Sequence, residues 1–204
     1  MNNTGLSGPY DLYKLFEQER FNLAHNMSFG YSQEVKTMKD EKHDSLVIRP
    51  AQEADVSLLA EFIRGIAEYE KLLDQVVADE TILRESFFGN RPSAEALIVE
   101  WEGKPAGFAV FFENFSTFMG RSGLYLEDLY VKPEYRRKGI GKALLAHLAK
   151  IAVQRGCPRF EWVALDWNKN AIDLYEKWGA KQLTEWRIFR LSGDNLAKLA
   201  GAGY

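Results

Sequence analysis

The feature that most constrains this chain is an apolar strand pattern running into a basic, glycine-containing turn and then an apolar helix pattern. Residues 123–131 read as a strand, which Pro133 ends. Arg136-Arg137-Lys138-Gly139-Ile140-Gly141-Lys142 follows, and 141–154 reads as a helix stopped by Gly156, with Pro158 just beyond. At such a helix start the first backbone N–H groups have no intrahelical partner, and the dipole end is positive. Gly139 and Gly141 remove side chains there, while Arg136, Arg137 and Lys138 add positive charge. Two readings stand: an anion-binding helix start, or a basic N-terminus whose glycines serve tight packing. No glycine lies five residues before Gly139, so this is not a Walker A loop; nor is it the G-x-G-x-x-G dinucleotide fingerprint.

Around this unit the chain divides near residue 45. Residues 1–45 mix Gly, Asn, Ser and charges without a sustained period, apart from a weak helical pattern over 10–23, and read as an extension. From residue 46 to 204 the pattern is that of one domain. Strands are expected at 46–48, 96–101, 106–112, 123–131, 160–165 and 186–191, with helices at 54–69, 79–88, 141–154, 170–178 and 195–200. Glu102-Gly103-Lys104-Pro105 reads as a hairpin turn, and Asp79 lies at a helix start. This order describes an α/β (α+β) domain with a mixed sheet and helices on both faces.

Composition removes several function classes. With 46% apolar and 13% aromatic residues the chain can bury a core, which excludes global disorder. A net charge of -3 gives no general reason to expect nucleic acid or an anionic membrane as partner. No run reaches the roughly 18 apolar residues of a membrane span, and no signal-peptide pattern is evident. One cysteine, Cys157, rules out an internal disulfide or a Cys-based zinc cluster, and the three histidines show no ligand spacing. The expectation is a cytoplasmic protein without a metal. No Ser-His-Asp or Cys-His arrangement of the kind that forms a covalent enzyme intermediate is evident.

Arg136-x-x-Gly139-x-Gly141, after a strand and before an apolar helix, resembles the acetyl-CoA signature of the GNAT superfamily of N-acetyltransferases. The resemblance extends over roughly residues 46–191 and implies a mixed, mostly antiparallel twisted sheet. Two further blocks are similar to the spermidine/spermine (diamine) acetyltransferase branch. One is Tyr125-Leu126-Glu127-Asp128-Leu129-Tyr130-Val131, continued by Asp166-Trp167-Asn168-x-x-Ala171-Ile172-x-x-Tyr175; the other is Ile66-Ala67-Glu68-Tyr69-Glu70. The loop 114–122 departs from the branch by lacking its proline-containing form.

The resemblance implies acetyl transfer from acetyl-CoA to an amine, with a small cationic amine as partner and a homodimer as assembly. The backbone of Leu129, Tyr130 and Val131 would pair with the pantetheine arm. Arg137, Lys138, Gly139, Ile140, Gly141 and Lys142 would hold the pyrophosphate, with Arg136 beside them. Asn168, Lys169, Asn170 and Ala171 would contact CoA from the opposite strand end. Tyr175 would be the general acid, since a phenol with a pKa near 10 stays protonated at working pH; its other reading is an aromatic on the inner face of a helix. Glu127 would receive the substrate amine as base, through a water, and Asp128 could act nearer the strand end. Regular alternation puts these two on opposite faces, and each has a salt-bridge reading as well. Tyr69 and Glu70 would form an acidic wall, and Glu161, Trp162 and Val163 would line the same site. Two competing readings are a protein N-acetyltransferase and a non-catalytic acetyl-CoA-binding module.

Overall fold

The structure, a computed structural model, describes residues 45–202. The weak helical pattern at 10–23 lies outside the described residues.

Five strands form one sheet in the order β1-β2-β3-β4-β5: β1 Leu46–Pro50, β2 Glu95–Trp101, β3 Lys104–Ser116, β4 Arg121–Val131 and β5 Phe160–Trp162. All neighbours are antiparallel except β4 and β5, which are parallel. The β2–β3 hairpin closes in two residues, Glu102 (φ 53°) and Gly103 (φ 73°), with Trp101 opposite Lys104. Two successive positive φ values suit the right-handed twist of a tight hairpin, so the expected turn is present in its two-residue form.

Helices cover both faces. α1 (Val56–Glu70) follows a 3₁₀ turn at Glu53–Asp55, and α2 (Glu80–Phe88) starts at Asp79, whose carboxylate accepts the Ile82 N–H at 2.8 Å. Leu59 and Phe62 of α1 pack on Ala96, Ile98, Phe108 and Val110. On the opposite face α3 (Ile140–Gln154) sets Ile140, Leu144, Leu145 and Leu148 against Leu97, Val99, Ala109, Phe111, Leu124 and Leu126. Ala96-Leu97-Ile98-Val99 is therefore apolar at every position because successive side chains enter two different cores. α4 (Lys169–Lys177) and α5 (Gly193–Ala200) complete the described elements. Among the described residues no helix is long and apolar enough to cross a membrane.

Two expectations are corrected. The strand expected at 160–165 has three residues, because its ladder with β4 ends at the Leu126–Trp162 pair. Residues 186–191 form no strand, and β5 offers too short an edge to hold one. Trp186, Ile188 and Phe189 stand exposed there.

Candidate active site

The candidate site begins where the β4–β5 ladder ends. Their register runs Leu124–Phe160, Tyr125–Glu161, Leu126–Trp162 and stops, whereas β4 continues paired to β3 as far as Val131 opposite Gly107. Leu129, Tyr130 and Val131 thus keep one strand partner and, among the described residues, have none on the β5 side. That edge has backbone groups an amide-bearing arm can use, apart from the Val131 carbonyl, which accepts from Arg136 Nε at 2.9 Å.

At the parting point β4 carries a bulge. Leu126 is opposite Phe111 and Asp128 opposite Val110, leaving Glu127 as the extra residue. The bulge breaks the alternation that would set Glu127 and Asp128 on opposite faces. Leu126 and Leu129 both belong to the α3 side, while Asp128 lies opposite a residue of the α1 side and Tyr130 packs on Phe62 of α1. Asp128 is consequently gathered with two other carboxylates. Burial, then the charges of Glu127 and Glu70, pushes its carboxyl up to about 6. Burial also raises the Glu70 carboxyl. Glu70 ends α1, which stops at Lys71 in a left-handed conformation (φ 62°).

The turn after β4 fits an anion. Lys132 leads into a 3₁₀ turn at Pro133–Tyr135, Arg137 is left-handed (φ 63°), and Gly139 (φ 82°) precedes α3. No side chain caps α3 and no acidic residue lies in its first turn, so its leading N–H groups remain available. A Cβ at Gly139 would meet nothing within 4 Å, so the glycine is required by its backbone angle. A Cβ at Gly141 would touch only Leu129 Cδ2, at 3.8 Å. Protein packing therefore does not explain that second glycine. Ile140 itself is 1% exposed and belongs to the core, so only its backbone can serve the cleft. The cations lie on aromatic rings: Lys138 over Trp101 (4.9 Å) and Tyr135 (5.5 Å), Lys142 over Trp178 (5.8 Å), and Arg136 over Tyr69 (4.8 Å) and Tyr130 (5.8 Å). Arg137 is exposed.

Across the cleft, Asn168 precedes α4, and its carbonyl accepts the Ala171 and Ile172 N–H groups at 3.1 Å; Lys169 and Asn170 complete that first turn. Tyr175 of α4 sets its ring edge-on to Trp162 (5.2 Å, 75°) and lies 6.5 Å from Trp178. Burial, with Tyr69 adding to it, pushes its phenol above the ordinary value. Of the other expected wall residues, Val163 is exposed and Trp162 is half-buried against Phe160. Glu161 is held by Arg159 at 2.9 Å and by the Asn114 amide at 3.0 Å, so much of its charge is already compensated.

Two residues outside the expected set matter. Trp167 packs on Tyr69 at 5.6 Å, and Gly65 of α1 admits Tyr130, whose hydroxyl would be 2.7 Å from a Cβ there. An isolated glycine inside an amphipathic helix was the available signal for Gly65.

Residues 62–180 match the Acetyltransferase (GNAT) family, more than half of the chain. The chain belongs to the GNAT acetyltransferase family. As a member it is an acetyl-CoA-dependent N-acetyltransferase. It is 43% identical over 168 residues to thialysine N-epsilon-acetyltransferase of Sus scrofa, covering 77% of this chain and 98% of that protein. It is 30% identical over 173 residues to a Homo sapiens spermidine/spermine N(1)-acetyltransferase-like protein 1, covering 80% of this chain and 25% of the other. Among solved structures, an integron cassette protein from the mobile metagenome of V. cholerae aligns with a TM-score of 0.66 at 29% identity, over 78% of this chain and 99% of that one. The chain thus acetylates a primary amine of a small substrate.

Proposed function

We propose that this GNAT enzyme acetylates small cationic amines, either a lysine-like thioether amine or a diamine or polyamine. The observation that carries the reading is the gathering of Glu70, Glu127 and Asp128 at the bulge, beside the cleft where β4 and β5 part. Three neighbouring carboxylates with raised or mutually repelling charge favour a substrate with two cationic groups and disfavour a carboxylate near the reacting nitrogen. The names of the thialysine and spermidine/spermine relatives support the same class.

Acetyl-CoA supplies the acetyl group as a thioester. Leu129, Tyr130 and Val131 would bind its pantetheine through backbone groups, and one N–H would polarise the thioester carbonyl. Residues 137–142 would hold the pyrophosphate, and Asn168 to Ala171 would flank it. A primary ammonium with a pKa of about 10.4 must lose a proton before it attacks. Asp128, half-buried and raised to about 6, suits that transfer better than exposed Glu127, which binds the cation beside it. Tyr175, kept protonated by burial, donates to the departing sulfur. The enzyme is read as a cytoplasmic homodimer, the exposed apolar residues of 183–191 supplying surface for association.

Thiol release measured over diamines, polyamines, a thioether lysine analogue, amines with an adjacent carboxylate, and peptides tests the proposal. Dicationic small amines are expected to give the highest kcat/KM. Turnover of peptides alone would replace the small cation by a protein acceptor, and CoA binding without thiol release would leave only a binding module.

A further inference from the structure

Arg136 belongs by position to the phosphate turn, yet its contacts lead elsewhere. Its Nε donates to the Val131 carbonyl at 2.9 Å, and its guanidinium lies 4.8 Å from the centre of the Tyr69 ring and 5.8 Å from that of Tyr130. The Tyr69 ring also meets Trp167 at 5.6 Å and a 52° tilt. Three segments therefore converge on one tyrosine: the end of α1, the turn after β4 and the loop before α4. Tyr69 is 41% exposed, so packing from the core does not hold it. Its neighbour in sequence is Glu70, whose charge reaches Asp128, and Tyr69 itself acts on the Tyr175 phenol.

We infer that Arg136 is a positioning residue for the amine side of the site, fixing Tyr69 and through it Glu70 and the last turn of α1. Pinning Nε to a carbonyl removes the two-nitrogen edge through which Arg grips phosphate most strongly with Nε, while the ring contacts use its face. This rests on the reading of Tyr69 and Glu70 as the acceptor wall. The cationic face of Arg136 needs an aromatic ring and not a hydroxyl, which separates it from a hydrogen-bonding role for Tyr69.

Steady-state kinetics on a diamine, calorimetry with acetyl-CoA, and hydrogen exchange of residues 66–72 in the substrate-free enzyme test the inference together. Arg136→Gln and Tyr69→Leu are each expected to raise the amine KM roughly two- to fivefold, as loss of an exposed cation–π contact allows. Both should speed exchange in the α1 end. Tyr69→Phe, which keeps the ring, should leave exchange in the α1 end unlike that of Tyr69→Leu, and the double variant should be no worse than either single one. Circular dichroism checks that each variant folds. An Arg136→Gln enzyme that loses acetyl-CoA affinity while amine KM and exchange are unchanged would make Arg136 a phosphate ligand and overturn the inference. So would Tyr69→Phe behaving like Tyr69→Leu, or full additivity in the double variant. If the wild type turns over no small amine, the functional reading fails on its own, and the exchange comparison still decides the role of Arg136.

Discussion

Asp128 carries the most consequential single-residue property of the site. Its carboxyl is raised in the folded protein to about 6, from an ordinary value near 3.9, by burial and then by Glu127 and Glu70. The folded state therefore holds that proton more tightly than the unfolded chain. Its contribution to stability is fully present below pH ~4 and is lost as the pH rises to about 6. Asp128→Asn is accordingly expected to melt higher than wild type at pH 7, with the gap closing by pH ~4. Function runs the other way. If Asp128 takes the substrate proton, wild-type kcat/KM should fall about tenfold per unit below pH ~6, and the Asn variant should lack both that limb and most of the rate. Thermal melts and a pH–rate profile check the pair; a flat acid limb down to pH 5 would remove Asp128 from the chemistry. Sequence showed two adjacent charges in an apolar strand, which demanded an explanation, but not which was the less exposed. That depended on an extra residue in the ladder, and register between strands leaves no mark in one strand's composition. The approach of Arg136 to Tyr69 was hidden for the same reason, since it joins segments far apart in the chain.

At the scale of elements, what sequence made legible was what local chemistry determines. Asp79 caps α2, Glu102-Gly103 turns the hairpin, and the apolar faces of α1 and α3 each find a core. The turn into α3 was legible as a helix start without acidic residues, but the reason for its first glycine was not. Gly139 is there for φ 82°, whereas a Cβ at Gly141 would meet only Leu129 Cδ2, at an ordinary contact distance of 3.8 Å. Gly139→Asp separates fold from binding. A side chain in a left-handed conformation costs on the order of 1 kcal/mol, and Asp tolerates it better than most. The variant should keep the wild-type far-UV spectrum and lose only a few degrees of melting temperature. The carboxylate, placed against the available N–H groups of α3, should nearly abolish acetyl-CoA binding. Calorimetric affinity within twofold of wild type would remove the phosphate site from this turn.

For the molecule as a whole, the C-terminal segment marks the limit of reading elements one chain at a time. Residues 186–191 have β-forming composition, but a strand needs a neighbour and β5 ends at Trp162. Instead Trp186, Ile188 and Phe189 are 70%, 74% and 89% exposed, more apolar surface than a solitary domain ordinarily leaves in one stretch. Light scattering at micromolar concentration is expected to give a dimer, and Trp186→Ser with Phe189→Ser should shift it toward monomer without unfolding the domain. A wild-type monomer at that concentration would refute the assembly.

The bulge at Glu127 also shows how narrowly this sheet avoids being a closed one. Removing Glu127 alone would leave Leu126, Asp128, Leu129, Tyr130 and Val131 in unbroken alternation, each still opposite its present β3 partner and facing its present core. No buried side chain would need to turn over, and a straightened β4 could extend its pairing with β5 past Leu126, over the edge the cofactor arm would use. An in-frame loss of one codon is thus expected to straighten β4 while leaving its pairing with β3 and both cores in place.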